Sequence, residues 1–215
     1  MRTAATSILT LTALICLALP LPAAKAEVIS KTRYKRHAVH GTTPAAVVAS
    51  MARFPIPQPG SEVVMGLLEM EQRFSYVPDT RSTGCRVGSL KTRLDFTITL
   101  PHAQNERRMD AGTKRLWTRF VATVKHHELT HRRYFLDYAA RYEARARRVS
   151  AKTCAGVDAA LAGIAEEEYA RAQRQNDALD RHDGAEIDAL PLFVAARRGM
   201  QPERADGQQV ALTRP

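Results

Sequence analysis

Scarcity narrows this 215-residue chain first. No segment recurs at a fixed period, which excludes solenoids and propellers. The longest apolar run, Ile8 to Pro20, falls short of the ~20 residues that a membrane-spanning helix needs. Aromatic residues make up only 6% of the chain, and they do not interleave with the basic stretches as base-stacking platforms would. Nucleic acid is therefore a poor partner, despite 32 Lys and Arg against 22 Asp and Glu. There are three cysteines, Cys16, Cys85 and Cys154.

The first 26 residues read as an export leader. Arg2 opens a short basic region, the apolar run follows, and Ala24-Lys25-Ala26 is an A-x-A cleavage signal. Cys16 lacks the small residues that precede a lipidated cysteine, so no membrane anchor is expected once the leader is cut. The mature chain is expected in the periplasm or outside the cell. It would keep only Cys85 and Cys154, and an oxidising compartment predicts that they are bridged. Residues 27–198 suit one domain with its own core. The tail 199–215, rich in Arg, Gln, Gly and Pro, is expected to be mobile. The positive charge concentrates between Arg107 and Lys152. It reads as a solvated helix face, suited at most to an acidic envelope surface.

Loose alternation from Val28 to His40 predicts a strand. Thr43-Pro44 starts a short helix over Ala45 to Met51, and the proline-rich stretch from Phe54 to Gly60 is a loop. Glu62 to Val77 holds a strand by position, though its Leu, Glu and Met content also suits a helix. Pro78 to Gly84 reads as a turn. The clearest strand is Cys85 to Leu100: Leu94, Phe96, Ile98 and Leu100 alternate with Arg93, Asp95, Thr97 and Thr99, and Pro101 ends it. His102 to Gly112 is polar and loop-like. A long helix is predicted from Thr113 to Val149 and a second from Val157 to Leu179, with Asp183-Gly184 closing it. A short apolar piece follows, Ala189 to Ala196.

The first long helix carries His127-Glu128-Leu129-Thr130-His131. Residues four apart stack on one helix face, so His127 and His131 can share one Zn²⁺. The glutamate between them can take a proton from the metal's water. At 100° per residue both histidines fall in the apolar stripe with Trp117, Phe120, Val124, Phe135, Tyr138 and Tyr142. Buried imidazoles need partners, and a metal is one. His126, Arg119 and Arg133 face the other way and should be solvated.

Catalytic zinc usually takes three protein ligands. Asp137 lies at about 280° from His127 on a continuous helix and Glu143 at about 160°, so neither reaches the metal. If the two helices form an antiparallel hairpin centred near residue 153, residue 127 lies level with 179 and residue 131 with 175. Glu166-Glu167-Glu168 is then some 12 Å away along the axis and reads as a solvated run. Asn176, Asp177, Asp180 and His182 lie level with the motif, and Asp180 and His182 are the candidates for the third ligand. Asp180 and His182 together would instead close the site.

These features also resemble a known bacterial family, that of predicted secreted zinc-dependent proteases, a domain of otherwise unknown function. The likeness runs from about Tyr34 to Gly184. It is carried by the strand ending at His40-Gly41, by Cys85-Arg86-Val87 leading to Thr99-Leu100-Pro101, by Trp117 ahead of the H-E-x-x-H residues, and by Cys154. The family closes on an Asn, an aromatic-Asp pair and often Thr-x-His-Gly. Here Asn176, Leu179-Asp180 and His182 remain, with Asp183 before Gly184. The resemblance implies metal binding by His127 and His131 and a catalytic Glu128.

Together these readings predict an α+β fold. A small, mainly antiparallel sheet packs on a long antiparallel helical hairpin, in a zincin-like arrangement. The expected function is an exported zinc-dependent hydrolase, a peptidase acting on a peptide or protein, with one Zn²⁺ per chain. The competing reading is a non-catalytic envelope protein whose metal braces the hairpin.

Overall fold

A computed structural model describes residues 25–58 and 64–200. Strand β1 (Lys25–Val39) leads into helix α1 (Pro44–Arg53), whose Thr43 cap accepts from the Ala46 amide. Strands β2 (Leu67–Arg81) and β3 (Gly84–Ala103) form a long hairpin. Helix α2 (Ala111–Ala146) follows, capped by Asp110. A two-residue strand β4 (Ser150–Ala151) then leads to α3 (Cys154–Glu186) and α4 (Pro191–Met200). The leader prediction falls mostly on residues 1–24, and the tail prediction on residues from 201; both lie outside the described residues.

The sheet order is β1-β3-β2. β1 pairs parallel with β3, while β2 and β4 pair with it antiparallel. β3 is central, and its alternation has the expected cause. Leu90, Leu94 and Phe96 pack on Tyr138, Ala139 and Tyr142 of α2, together with Val157 and Leu161 of α3. The intervening Arg93 and Asp95 pair with each other away from that core. A second core gathers Val39, Val47, Trp117, Phe120, Leu192 and Phe193. On α2 the stretch 127–131 falls between the residues that serve these two cores.

Several boundaries differ from the sequence reading. β3 continues through Pro101 to Ala103, because at that point only β1 pairs with it: β2 begins at Leu67, opposite Thr99. β2 passes through Pro78 with a register shift at Val77/Pro78. An edge strand tolerates both proline and a bulge, so the turn shrinks to Ser82 and Thr83. Helix α3 begins at Cys154 and runs on through Gly184 to Glu186. A helical glycine costs only about 1 kcal/mol, and contacts of Asp183 described below hold that last turn. Glu168 is not solvated: it is buried and takes hydrogen bonds from Arg141 and Arg145.

The disulfide is present. Cys85 at the start of β3 bonds Cys154, the first residue of α3, with Cα atoms 5.1 Å apart. It ties the point where α3 begins to the sheet, and so helps fix the register of α3 along α2. Among the described residues no helix is long and apolar enough to cross a membrane.

Candidate metal centre

The site is built by α2 and the C-terminal third of α3. Helical spacing stacks His127 and His131, and their Nε2 atoms lie 2.8 Å apart. Asp180 of α3 places Oδ1 3.1 Å from His127 Nε2 and 2.9 Å from His131 Nε2. These three atoms form a nearly equilateral triangle, and the three side chains form a group that could hold a metal ion.

The outer ring nitrogens determine which atoms face inward. His127 Nδ1 lies 2.6 Å from Asp183 Oδ2. His131 Nδ1 lies 2.8 Å from Asn176 Oδ1, whose amide nitrogen is turned to Gln173. Both partners are acceptors, so each Nδ1 carries the hydrogen and each neutral ring presents an Nε2 lone pair. Asp180 Oδ1 adds another acceptor. Three acceptors cannot satisfy one another, so this triangle calls for a proton or a cation.

Electrostatics supports that conclusion. Asp180, with Asp183 adding and burial opposing, pushes the His127 imidazole up to about 9. Burial lowers His131, but Asp180 and Asn176 more than compensate, and it too is raised. Burial alone would raise Asp180; hydrogen bonds from both histidines outweigh it and hold the carboxyl well below the usual carboxylate range. Free of metal, the group keeps a proton in the place a cation would take.

Glu128 sits on α2 beside this group, 4% exposed. Burial raises its carboxyl, while the His127 and His131 imidazoles pull the other way. The backbone amide of Leu68, at the start of β2, also lowers it.

Of the predicted third ligands, Asp180 joins the two histidines and His182 does not. Two residues on from Asp180, His182 projects from another side of the helix; it is 71% exposed and bonds Asp183 Oδ1 at 3.0 Å. The expected hairpin register holds to within one residue: Asn176, next to 175, meets His131. Asp183 takes part without having been a candidate by residue pattern. It lies three residues after Asp180 on the same helix face, a clue that counts only if the helix continues past Gly184. Asp137 is exposed, and Glu143 is buried beside Arg147; neither belongs to the group.

Comparison with known proteins gives one family. No curated protein and no solved structure matches the chain. A family model matches residues 34–186, a span that includes β2, β3, all of α2 and α3, and every residue of the metal group. The chain belongs to the bacterial proteins of unknown function designated DUF922.

Proposed function

We propose that this protein is an exported zinc-dependent hydrolase, most consistent with a peptidase. The observation that carries the reading is the convergence of two imidazole lone pairs and one carboxylate oxygen within 2.8–3.1 Å, with Glu128 next to them in sequence. Two nitrogens and one oxygen are a donor set that suits zinc. Three ligand-competent side chains meet there, the number that catalytic zinc sites use. The disulfide between Cys85 and Cys154 fits an oxidising compartment.

In this reading His127, His131 and Asp180 hold the ion. Bound there, zinc supplies Lewis acidity, polarising a carbonyl and lowering the pKa of water. Asp183 and Asn176 orient the two imidazoles by accepting their Nδ1–H groups. Glu128 takes the proton of the attacking water and returns it to the leaving amine. Its burial raises the carboxyl, the direction that suits a general base.

One observation favours the bracing role instead: Glu128 is deeply buried, as a purely structural carboxylate would be. The Glu128→Gln variant separates the two readings. It should retain about one zinc per chain and its fold, while peptides released from an envelope-protein digest disappear. Identical peptides from wild type and variant would leave the bracing role as the account.

A further inference from the structure

We propose that Gly66 is a positioning residue for Glu128: the lack of a side chain there lets the backbone entering β2 close over the carboxylate and fix its place beside the metal group. The inference rests on the general-base role proposed for Glu128, and its test does not.

Gly66 is buried and immediately precedes β2. A methyl built on its Cα would lie 2.5 Å from Glu128 Oε1, 3.1 Å from Glu128 Cδ and 2.6 Å from Val124 Cγ1. Backbone conformation does not demand this glycine, since among the described residues only Gly41 and Gly84 have positive φ. It is the close approach that demands it. The helical glycines Gly163 and Gly184 offer a contrast, since a methyl there would meet nothing within 4 Å.

Two residues on, the Leu68 amide also favours the charged form of this carboxylate. The start of β2 thus lies against Glu128, with its closest approach at Gly66. The neighbours differ in what they can yield. Val124 is β-branched on a helix and strongly prefers one rotamer, whereas Glu128 has several rotatable bonds. A methyl at position 66 would therefore displace the carboxylate.

A thermal-unfolding cycle tests this on the full chain. Gly66→Ala should lower Tm by roughly 2–10 °C, as overpacking by one methyl does in a domain of this size. In a Glu128→Ala background the same substitution should cost measurably less, because the carboxylate it strikes is gone while the contact with Val124 is the same in both. Equal losses in both backgrounds would show that Gly66 only packs against Val124, and would overturn the proposal. If Gly66→Ala fails to fold, the cycle is run with Val124→Ala in every variant to remove the second clash; recovery of folding with Ala at 128 then supports the proposal and failure with either residue at 128 overturns it. Gly66→Ala should also keep one zinc per chain with unchanged affinity, as read by titration with zinc alone. With a cleavable peptide in hand, kcat should fall roughly 10–100-fold with KM little changed, the expected effect of a misplaced catalytic group. A KM effect with kcat intact would count against positioning. Failure of wild type to cleave anything would remove the hydrolase reading and leave the unfolding cycle to decide the contact between Gly66 and Glu128.

Discussion

The hairpin of α2 and α3 makes the same arrangement twice, with opposite results. Near its turn, Arg141 and Arg145 of α2, four residues apart, converge on the Glu168 carboxylate of α3 at 2.7 and 2.9 Å. Fourteen residues earlier on α2, His127 and His131, also four apart, converge on Asp180 at 3.1 and 2.9 Å. Guanidinium groups bring only donors, so donor meets acceptor at the carboxylate and the arginine cluster needs no cation, although Arg141 Nη2 is left buried without a partner. The imidazoles have committed their N–H groups outward, to Asp183 and Asn176. They turn lone pairs toward a third acceptor, and that cluster is complete only with a proton or a metal. One geometry thus serves stability where the chemistry closes, and offers a binding site where it does not.

The contrast is broken most completely by His131→Ala, which should abolish stoichiometric metal binding, while Arg145→Ala keeps about one zinc per chain. Metal analysis of both purified variants decides. A His131→Ala variant that still holds a full equivalent would remove the site.

Acid should separate the two clusters next. With His127 raised to about 9, zinc must displace a proton at neutral pH. Apparent affinity should therefore fall about tenfold per pH unit below 9 for each proton displaced. The metal-free chain behaves in the opposite sense. A raised imidazole contributes stability fully below about pH 6.5 and loses it as pH rises through about 9. Glu168 is held below its ordinary value by Arg141 and Arg145 against the opposing effect of burial. Its contribution is present above about pH 4.3 and is lost only as pH falls through the lower folded value. Zinc titrations across about pH 5–9, with unfolding curves of the metal-free chain carried down to about pH 3, check both signs.

A smaller effect is expected from Asp183→Asn, which weakens the acceptor that orients His127. Zinc affinity should drop roughly 10–100-fold without loss of fold. Glu168→Ala should leave affinity untouched and lower Tm by roughly 2–10 °C, from about 1–3 kcal/mol of charged hydrogen bonds, discounted because Arg145 is 43% exposed. The least change is expected for His182→Ala, since that ring is exposed and touches the group only through Asp183. An effect of His182→Ala larger than that of Asp183→Asn would mean that His182 reaches the metal in solution.

How much of this was legible depends on the range of the interaction. Period-two alternation from Leu94 to Leu100 gave the central strand, because one face had to meet the helices. The 3.6-residue stripe of α2 put His127 and His131 inward and left His126, Arg119 and Arg133 exposed, as found. Simple counting through the hairpin brought Asp180 level with the motif. Two cysteines left after the expected leader cleavage gave the bridge between Cys85 and Cys154. Each of these follows from local periodicity, spacing along the chain or residue chemistry.

Tertiary contacts decided the rest. Glu168 looked like one member of a solvated acidic run until Arg141 and Arg145 faced it across the hairpin. Asp183 looked like a helix terminator beside Gly184, but it bonds His127 from within α3, whose end is also held by Ile187 against the second core. Between Asp180 and His182 local sequence offered no choice, because both are competent ligands; the rotation of α3 on α2 set Asp180 inward and left His182 in solvent. Gly66 carried no signal of its own, since a glycine needed for room rather than for φ cannot be recognised until the group it makes room for is in place.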